Sequence, residues 1–164
     1  KPTNGGSSVA TFKITKKEDV EAAVVEGLKW DKEVMIEEFI KGDEITCPVF
    51  DNELFPVLAI KAKTDFYDYE QKYSANGAEH YAIDLEPKIY EEVKKMALDT
   101  YKALKCSVYS RIDMIITEAG VPYILEVNTL PGMTATSLFP QSAGEKGIGY
   151  SEFIDMIIEY SLKK

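Results

Sequence analysis

The sequence has 164 residues, 45% of them hydrophobic, and carries a formal net charge of −9 at pH 7. That length suits one domain or two small lobes with a real core. The negative charge disfavours a nucleic-acid-binding protein, which usually shows a basic stripe, and no run approaches the roughly 20 apolar residues of a membrane span. The chain starts with Lys1-Pro2 and no signal peptide follows. We therefore expect a fragment of a longer cytoplasmic protein, or a processed chain.

The predicted elements mix helices with paired strands. In chain order they are a strand over 8–15, a helix over 18–30 with a capping box at Thr15–Glu18, a strand over 33–40, a hairpin of strands 44–50 and 54–60, a helix over 86–106 with Pro87 in its first turn, a hairpin of strands 108–117 and 121–128, and a helix over 151–162 capped by Ser151. Segments 63–83 and 129–149 read as long irregular loops. The pattern predicts an α+β protein with mainly antiparallel sheets.

The cysteines and the single histidine point away from redox or zinc chemistry. Cys47 and Cys106 are far apart and lack CxxC spacing, so we expect reduced, buried thiols. His80 falls in a predicted loop without a second histidine or a nearby cysteine. A zinc site or a Cys–His dyad therefore has little support, and a surface role is favoured.

The second hairpin carries the main candidate site. If its turn centres on Ala119-Gly120, Asp113 lies opposite Glu126 and Arg111 opposite Asn128. Because side chains alternate along a strand, all four share one face. On the other face this register predicts core residues Ile112, Met114, Leu125 and Val127.

Two acids at about 5 Å repel unless a cation or a shared proton lies between them. Asp113, Glu126 and Asn128 supply the oxygen donors that Mg²⁺ prefers, and Arg111 suits a phosphate or a developing oxyanion. The alternative is a solvated acidic face balanced by Arg111. The adjacent asparagine and the Pro-Gly-rich loop after it favour the metal interpretation.

Three further segments suit a nucleotide and its lid. The start, KPTNGGSSV, combines a lysine, glycines and serines that can wrap a phosphate, although a plain flexible turn has the same composition. The segment IEEFIKGDE is by itself only a strand end and a turn, but its backbone can pair with an adenine edge, and an acid beyond it can bind ribose. The segment FYDYEQKY is either an ordered surface loop or a lid that excludes water.

Together with SRIDMIITEAGVPYILEVNTLPGMTATSLFP and the closing GIGYSEFIDMIIEYSL, these segments resemble the D-alanine–D-alanine ligases of the ATP-grasp superfamily, essentially from Lys1 to Lys164. The run from Arg111 through the Asn128–Thr134 stretch is the most specific part. The resemblance implies an ATP-grasp fold and a cytoplasmic enzyme of peptidoglycan synthesis, which supports the cell wall and cell shape. Such an enzyme transfers the γ-phosphate of ATP to one D-alanine, and the amine of a second D-alanine attacks the acyl phosphate.

The resemblance also implies a set of site residues. They are Lys1 and Lys72 on the ATP phosphates, Glu37, Glu38, Phe39 and Ile40 at adenine, Glu44 at ribose, Ser7, Ser8, Tyr73, Arg111 and the backbone of Gly132 in catalysis, Asp113, Glu126 and Asn128 on two Mg²⁺ ions (with Mn²⁺ as a substitute), and Ser137 and Leu138 at the carboxylate of the second substrate.

In the family pattern, 1–43 corresponds to the remainder of the central lobe and 44–164 to the C-terminal lobe, with lid loop 63–83 and substrate loop 129–149. The family's N-terminal lobe and the opening of its central lobe have no counterpart here, so we expect the 164 residues alone to be inactive. Relatives are often homodimers. The intact Lys72-Tyr73 pair favours an amine nucleophile over D-lactate, while D-serine and a non-catalytic nucleotide- or metal-binding module remain alternatives.

Overall fold

The structure is a computed structural model that describes residues 1–4, 8–61 and 79–163. The described residues fall into two compact units. The first comprises Lys1–Phe39 and Ala62–Glu79, of which only Glu79 is described in the later stretch, and the second comprises Ile40–Lys61 and the chain from His80 onward.

The first unit is built around helix α1 (Val20–Gly27), which a 3₁₀ turn over Lys17–Asp19 precedes. The helix was predicted, but Lys16 takes the N-cap position of the turn and no side chain caps it, so the expected capping box does not form. The predicted strand over 8–15 is wrong, because Ser8 and Ala10 have positive φ, which breaks an extended chain.

The predicted strand over 33–40 is also largely wrong. Only one isolated antiparallel bridge forms there, between Val34 and Pro2. The bridge is flanked by hydrogen bonds from Met35 N to Lys1 O at 2.8 Å and from Thr3 N to Glu33 O at 3.2 Å. A strand needs a hydrogen-bonded neighbour along its length, and among the described residues only Lys1–Thr3 supplies one.

The second unit contains an antiparallel sheet, as predicted. Its strands are β1 (Asp43–Phe50), β2 (Glu53–Leu54), β3 (Leu58–Lys61), β4 (Glu79–Ala82), β5 (Tyr109–Ile116) and β6 (Pro122–Asn128). The order across the sheet is β4-β3-β1-β5-β6, and β2 pairs with the end of β1. The central strands β1 and β5 pair over their full eight-residue lengths.

Both predicted hairpins form, but the predicted strand over 54–60 is interrupted, since β2 ends at Leu54 and β3 begins at Leu58. Asp51 and Asn52 both have positive φ, the conformation of a two-residue turn that follows the strand twist. Gly120 has φ +78, and Thr117 N donates to Val121 O at 3.0 Å to close the second hairpin.

Three helices flank the sheet in the described part of this unit: α2 (Pro87–Ala103), α3 (Leu138–Glu145) and α4 (Tyr150–Leu162). Helix α2 was predicted, with Pro87 at its first position, where a missing N–H costs nothing. Helix α4 was predicted too, but Gly149 rather than Ser151 precedes it, and Gly149 N donates to Glu152 Oε2 at 3.4 Å.

Two expected loops contain regular structure. Strand β4 occupies the end of segment 63–83, because its backbone pairs with β3 at the sheet edge. Helix α3 lies within 129–149, because Phe139 and Ala143 on one side of it are buried. The rest of the predicted lid loop lies outside the described residues.

The sheet has a core on each side. One cluster packs the inner side chains of β1 and β5, including Ile45, Cys47 and Ile112, against Val93 and Ala97 of α2. The other cluster is aromatic and joins Phe50 and Phe55 to Phe139 and Phe153 of α3 and α4, with the last two ring centroids 5.0 Å apart. Each face of the sheet is thereby anchored, which holds β1, β5 and β6 in register. None of the described helices is both long and apolar enough to cross a bilayer.

Candidate active site

The predicted cross-strand quartet is present in the predicted register. Arg111 lies opposite Asn128, and Asp113 lies opposite Glu126, on neighbouring strands β5 and β6. Strand alternation puts the four side chains on one face of the sheet. Asp113 is buried, Asn128 is half-buried and Glu126 is exposed, so this face of the hairpin is closed to solvent at Asp113 and open to it at Glu126.

The register changes just beyond the quartet. A β-bulge between Asp113 and Met114 shifts the pairing by one residue, so that Met114 faces Ile124. The prediction that Leu125 belongs to the core is therefore wrong. It is the extra residue on β6 and is 40% exposed. Bulges re-aim side chains beside functional sites, and this one lies immediately next to Asp113 and Glu126.

Asp113 is the most restrained member of the quartet. Its Oδ1 accepts hydrogen bonds from Thr46 Oγ1 at 2.6 Å and Arg111 Nε at 2.9 Å. Its Oδ2 accepts from Arg111 Nη2 at 2.7 Å. This two-pronged ion pair is largely buried, with 17% of the arginine side chain and 7% of the aspartate side chain exposed. Such a pair is rigid, because the planar guanidinium fixes both carboxylate oxygens at once.

Asn128 ends β6 and begins the loop that the sequence singled out. Its Oδ1 accepts a hydrogen bond from Leu130 N at 3.1 Å, which orients the amide oxygen at the strand end. Asp113, Glu126 and Asn128 together offer only hard oxygen donors, the set that suits Mg²⁺. The described residues hold no cluster of three or more His, Cys, Asp or Glu side chains suited to a metal, so a metal centre here depends on the asparagine as its third donor.

Ser137 organises the predicted substrate loop. Its Oγ accepts from Thr134 N at 3.0 Å and lies 2.8 Å from Thr134 Oγ1. Gln141 Nε2 donates to Thr136 O at 2.6 Å. Ser137 is the N-cap residue of α3, and Leu138 is the first residue of that helix. The loop is therefore fixed by its own side chains.

Gly132 lies exposed within the same loop. A β-carbon at this position would lie 3.0 Å from Ser137 Oγ, so a residue larger than glycine would crowd the serine hydroxyl. Tyr150, at the start of α4, donates from its hydroxyl to Met133 O at 2.7 Å. This bond ties the residue after Gly132 to a helix packed on the aromatic core.

Glu44 shares the face of the quartet. It lies on β1 opposite Ile115 of β5, and two residues further along β1 lies Thr46, opposite Asp113. Alternation brings Glu44, Thr46 and Asp113 to the same side of the sheet. The predicted ribose-binding acid and the predicted metal ligand are thereby joined on one surface.

The predicted nucleotide residues of the first unit are held by local contacts. Lys1 Nζ lies 2.5 Å from Glu37 Oε1, and Lys13 Nζ lies 4.1 Å from the centroid of the Phe39 ring. Glu38 is exposed and carries no regular structure, and the boundary between the two units falls directly after Phe39, before Ile40. Ser8 is described and has φ +59, whereas Ser7, Lys72 and Tyr73 lie outside the described residues.

Asp31 is a site-related residue that the sequence analysis missed. Its Oδ2 accepts from Asn4 N at 2.7 Å, Asn4 Nδ2 at 2.9 Å and Thr3 Oγ1 at 3.0 Å, and its Oδ1 accepts from Lys32 N at 2.6 Å. These hydrogen bonds, led by the one from the Asn4 backbone, lower the pKa of Asp31 from its ordinary 3.8 to about 2. Asp31 thereby holds the segment that leads into the Gly-Gly-Ser-Ser stretch.

Thr46 and Tyr150 were missed as well. The sequence analysis placed Thr46 in a strand without a further role, and it gave Tyr150 no role. The sequence offered a hydroxyl on the same strand face as Glu44 and a tyrosine one residue past Gly149. Neither feature indicates that the hydroxyl binds Asp113 or Met133.

The two cysteines and the single histidine of the chain all lie in its described part. Burial, and then the Asp113 charge, raise the pKa of the Cys47 thiol, which keeps it protonated and unreactive. Both cysteines are free, as predicted, although Cys106 is only partly buried. His80 is half-buried rather than fully on the surface, and burial, followed by the Arg111 charge, lowers its pKa.

The structure combines an antiparallel sheet and flanking helices with a hairpin of cross-strand acid, amide and arginine groups and a structured Pro-Gly loop beyond it. The fold is that of an ATP-grasp protein. The family model described as the D-ala D-ala ligase C-terminus matches residues 1–159. The chain therefore belongs to the D-alanine–D-alanine ligase family, in its C-terminal part.

Individual relatives agree with this assignment. The chain is 71% identical over 164 residues to D-alanine–D-alanine ligase B of Clostridium perfringens (strain 13 / Type A), which covers all of this chain and 54% of that protein. A crystal structure of the D-alanine–D-alanine ligase of Bacillus anthracis matches with a TM-score of 0.87 and 47% identity over 99% of this chain and 53% of that one.

A second structure, of the B. anthracis ligase complexed with ATP, matches with a TM-score of 0.80 and 43% identity over 90% of this chain and 47% of that one. The chain thus spans about half the length of the curated relatives that it matches.

Proposed function

We propose that the complete protein carrying this chain is an ATP-dependent ligase that joins two D-alanines through a D-alanyl phosphate and so supplies a cytoplasmic peptidoglycan precursor. The carrying observation is the quartet of Arg111, Asp113, Glu126 and Asn128, which lies in one register on one sheet face within a chain that matches the family model over residues 1–159.

The reaction has two steps that this surface suits. A carboxylate oxygen of the first D-alanine attacks the γ-phosphorus of ATP, the bond to the β,γ-bridging oxygen breaks, and ADP leaves. The amine of the second D-alanine then attacks the acyl carbon, loses a proton, and expels phosphate. Phosphoryl transfer depends mainly on positioning and charge neutralisation, so side chains that fix phosphates and oxyanions are the parts to identify.

Asp113, Glu126 and Asn128 are the residues that would hold divalent cations, with two Mg²⁺ ions as the family pattern implies. When bound, the cations neutralise the phosphate oxygens and orient the transferred group. The three side chains fit that role because they offer only hard oxygen donors and because Asp113 and Glu126, as cross-strand neighbours, are stable together in their charged forms when a cation lies near them.

Arg111 and the backbone N–H of Gly132 are the proposed groups that stabilise the oxyanion of the second step. The contacts of Arg111 support this role, since Asp113 holds two of its nitrogens at 2.7 and 2.9 Å. A fixed guanidinium needs little reorganisation when charge develops on the substrate. Ser137 and Leu138, at the end of the same loop, are proposed to receive the carboxylate of the second D-alanine.

The nucleotide is assigned to the other predicted residues. Lys1 and Lys72 contact the phosphates, Glu37, Glu38, Phe39 and Ile40 receive adenine, and Glu44 binds ribose. Following the family pattern, Tyr73, Ser7 and Ser8 are proposed to act on the reacting groups, and a lid with Lys72 and Tyr73 is proposed to shield the acyl phosphate from water. The complete protein is further proposed to supply an N-terminal lobe that binds the first D-alanine, and to form a homodimer.

The test is phosphate release from Mg·ATP by the complete gene product, with D-alanine, D-serine or D-lactate added singly and in pairs with D-alanine. Release stimulated by D-alanine alone, with a dipeptide product, is the expected result. A mixed product that exceeds the D-alanine dipeptide would reassign the second substrate. ATP binding without stimulated release under any condition would contradict the ligase proposal and favour a non-catalytic nucleotide-binding protein.

A further inference from the structure

Thr46 is a buried polar residue in the middle of the site. It lies on the central strand β1, between Leu58 of β3 and Asp113 of β5, and none of it is exposed. Its hydroxyl donates to Asp113 Oδ1 at 2.6 Å, a contact between residues 67 positions apart in the chain. A buried hydroxyl requires such a partner, but a valine would fill the same space on a strand without needing one.

The hydrogen bonds to Asp113 are unequally divided between its two oxygens. Each carboxylate oxygen offers about two acceptor directions. Oδ1 uses both, for Thr46 Oγ1 and Arg111 Nε. Within residues 1–4, 8–61 and 79–163, Oδ2 accepts one hydrogen bond, from Arg111 Nη2. The second acceptor direction of Oδ2 is thus the one that Asp113 retains for another partner.

We propose that Thr46 is a positioning residue for the divalent-cation site, and that its hydroxyl holds Asp113 so that Oδ2 is the oxygen presented to the cation. This inference rests on the proposed function, since it takes Asp113 as a cation ligand. Thr46 touches neither substrate nor cation and acts through Asp113.

The backbone geometry supports the assignment. Arg111 alone fixes the plane of the carboxylate, but the arginine lies two residues away on the same strand and is itself 17% exposed. Thr46 approaches from the neighbouring strand and is rigid, because a β-branched side chain on a strand has few rotamers. The two donors together therefore leave the Asp113 carboxylate one orientation. Groups that orient metal ligands in this way typically contribute about 10–100-fold in metal affinity.

The experiment is a titration of the complete protein with Mn²⁺ in the presence of ADP, followed by electron paramagnetic resonance of the free ion. We expect Thr46→Val to weaken Mn²⁺ binding about 10–100-fold. Thr46→Ser keeps the hydroxyl and is expected to restore affinity to within about threefold of wild type. Thermal unfolding without metal is measured in parallel for each variant.

Ser142→Ala is the matched control. Ser142, on α3, is also fully buried, and its Oγ donates to Pro56 O at 2.6 Å, a bond that involves no member of the quartet. It therefore loses a comparable buried hydrogen bond, and we expect lower thermal stability with unchanged Mn²⁺ affinity. If Thr46→Val does not fold, Thr46→Cys carries the test, because a thiol is a weak donor and a several-fold loss of Mn²⁺ affinity is expected.

Wild-type Mn²⁺ affinity in folded Thr46→Val, or equal losses in Thr46→Val and Thr46→Ser, would overturn the inference. So would a wild-type protein that binds no Mn²⁺. The ligase proposal fails separately: if D-alanine stimulates no phosphate release but the Thr46 series behaves as expected, the positioning role stands and the proposed reaction does not.

Discussion

Asp113 and Glu126 face each other across β5 and β6 on the same side of the sheet. Their surroundings differ, because Asp113 is buried and paired with Arg111, whereas Glu126 is exposed. One carboxylate is thus held in place by the protein and the other is accessible to an incoming cation or substrate. A change at Glu126 therefore tests the chemistry of the site with the least disturbance to the fold.

Glu126→Gln in the complete protein is expected to lower D-alanine-stimulated phosphate release by about 100-fold or more, because an amide is a far weaker ligand for Mg²⁺ than a carboxylate. Rates are measured over a range of Mg²⁺ concentrations. Glu118→Gln is the control, since Glu118 lies in the turn of the same hairpin and makes an exposed ion pair with Lys41 at 3.5 Å. Equal rates for wild type and Glu126→Gln would remove Glu126 from the site.

Tyr150→Phe is expected to raise the KM for D-alanine several-fold while leaving the KM for ATP unchanged. The substitution removes the hydroxyl that holds Met133 O at 2.7 Å, and loosening a positioning loop weakens the alignment of the substrate. Tyr160→Phe provides the control on the same helix, because its ring packs on Phe50 at 4.9 Å and is retained. A parallel rise in both KM values would instead indicate a general loss of structure.

Gly42→Ala is expected to destabilise the complete protein by about 1–3 kcal/mol, the usual range for overpacking. A β-carbon at Gly42 would lie 2.2 Å from the carbonyl oxygen of Ile116 and 2.7 Å from Ile115 Cγ2. Backbone of a central strand cannot move aside easily. Chemical denaturation gives the free energy of unfolding.

The comparison for Gly42 is Gly144→Ala, since nothing lies within 4 Å of a β-carbon there and the residue belongs to α3. That change is expected to be neutral or to stabilise by up to about 1 kcal/mol, because alanine favours a helix over glycine. If both variants unfold at the same denaturant concentration, the close approach of Gly42 to β5 is not a constraint.

The Asp31 hydrogen bonds predict an acid-dependent loss of stability. The pKa of Asp31 is about 2 in the folded protein, below its ordinary value of 3.8. A lowered folded-state pKa means that the stabilisation is fully present above about pH 4 and disappears as the pH falls through about 2. The difference in unfolding free energy between wild type and Asp31→Ala should be constant near neutrality and shrink across that window. A difference that persists unchanged at pH 2 would contradict this assignment.

The hairpin register could be predicted because every contribution to it is local. Period-two alternation, a glycine at the turn and the apolar side chains of one face together place Asp113 opposite Glu126, and the structure has that pairing. The helix over Pro87–Ala103 could be predicted for the same reason, since apolar spacing and a proline at the first position are local signals.

Errors arose where a segment depends on a neighbour. The extended pattern of 8–15 has no strand in the described structure, and 33–40 keeps only the bridge from Val34 to Pro2. Leu125 fits the alternation but sits at a bulge, which one-residue counting cannot place. Helix α3 was read as loop because its proline, serine and glycine residues are poor helix formers, and burial of Phe139 outweighs that preference.

The sequence by itself determined the antiparallel class, both hairpins and the face that carries Arg111, Asp113, Glu126 and Asn128, because local propensity and alternation act over a few residues. Only the tertiary structure decided that Thr46 binds Asp113 and that Tyr150 holds Met133. Those hydrogen bonds join positions that are distant in the chain, and their partners are selected by strand order and helix packing rather than by any neighbouring residue.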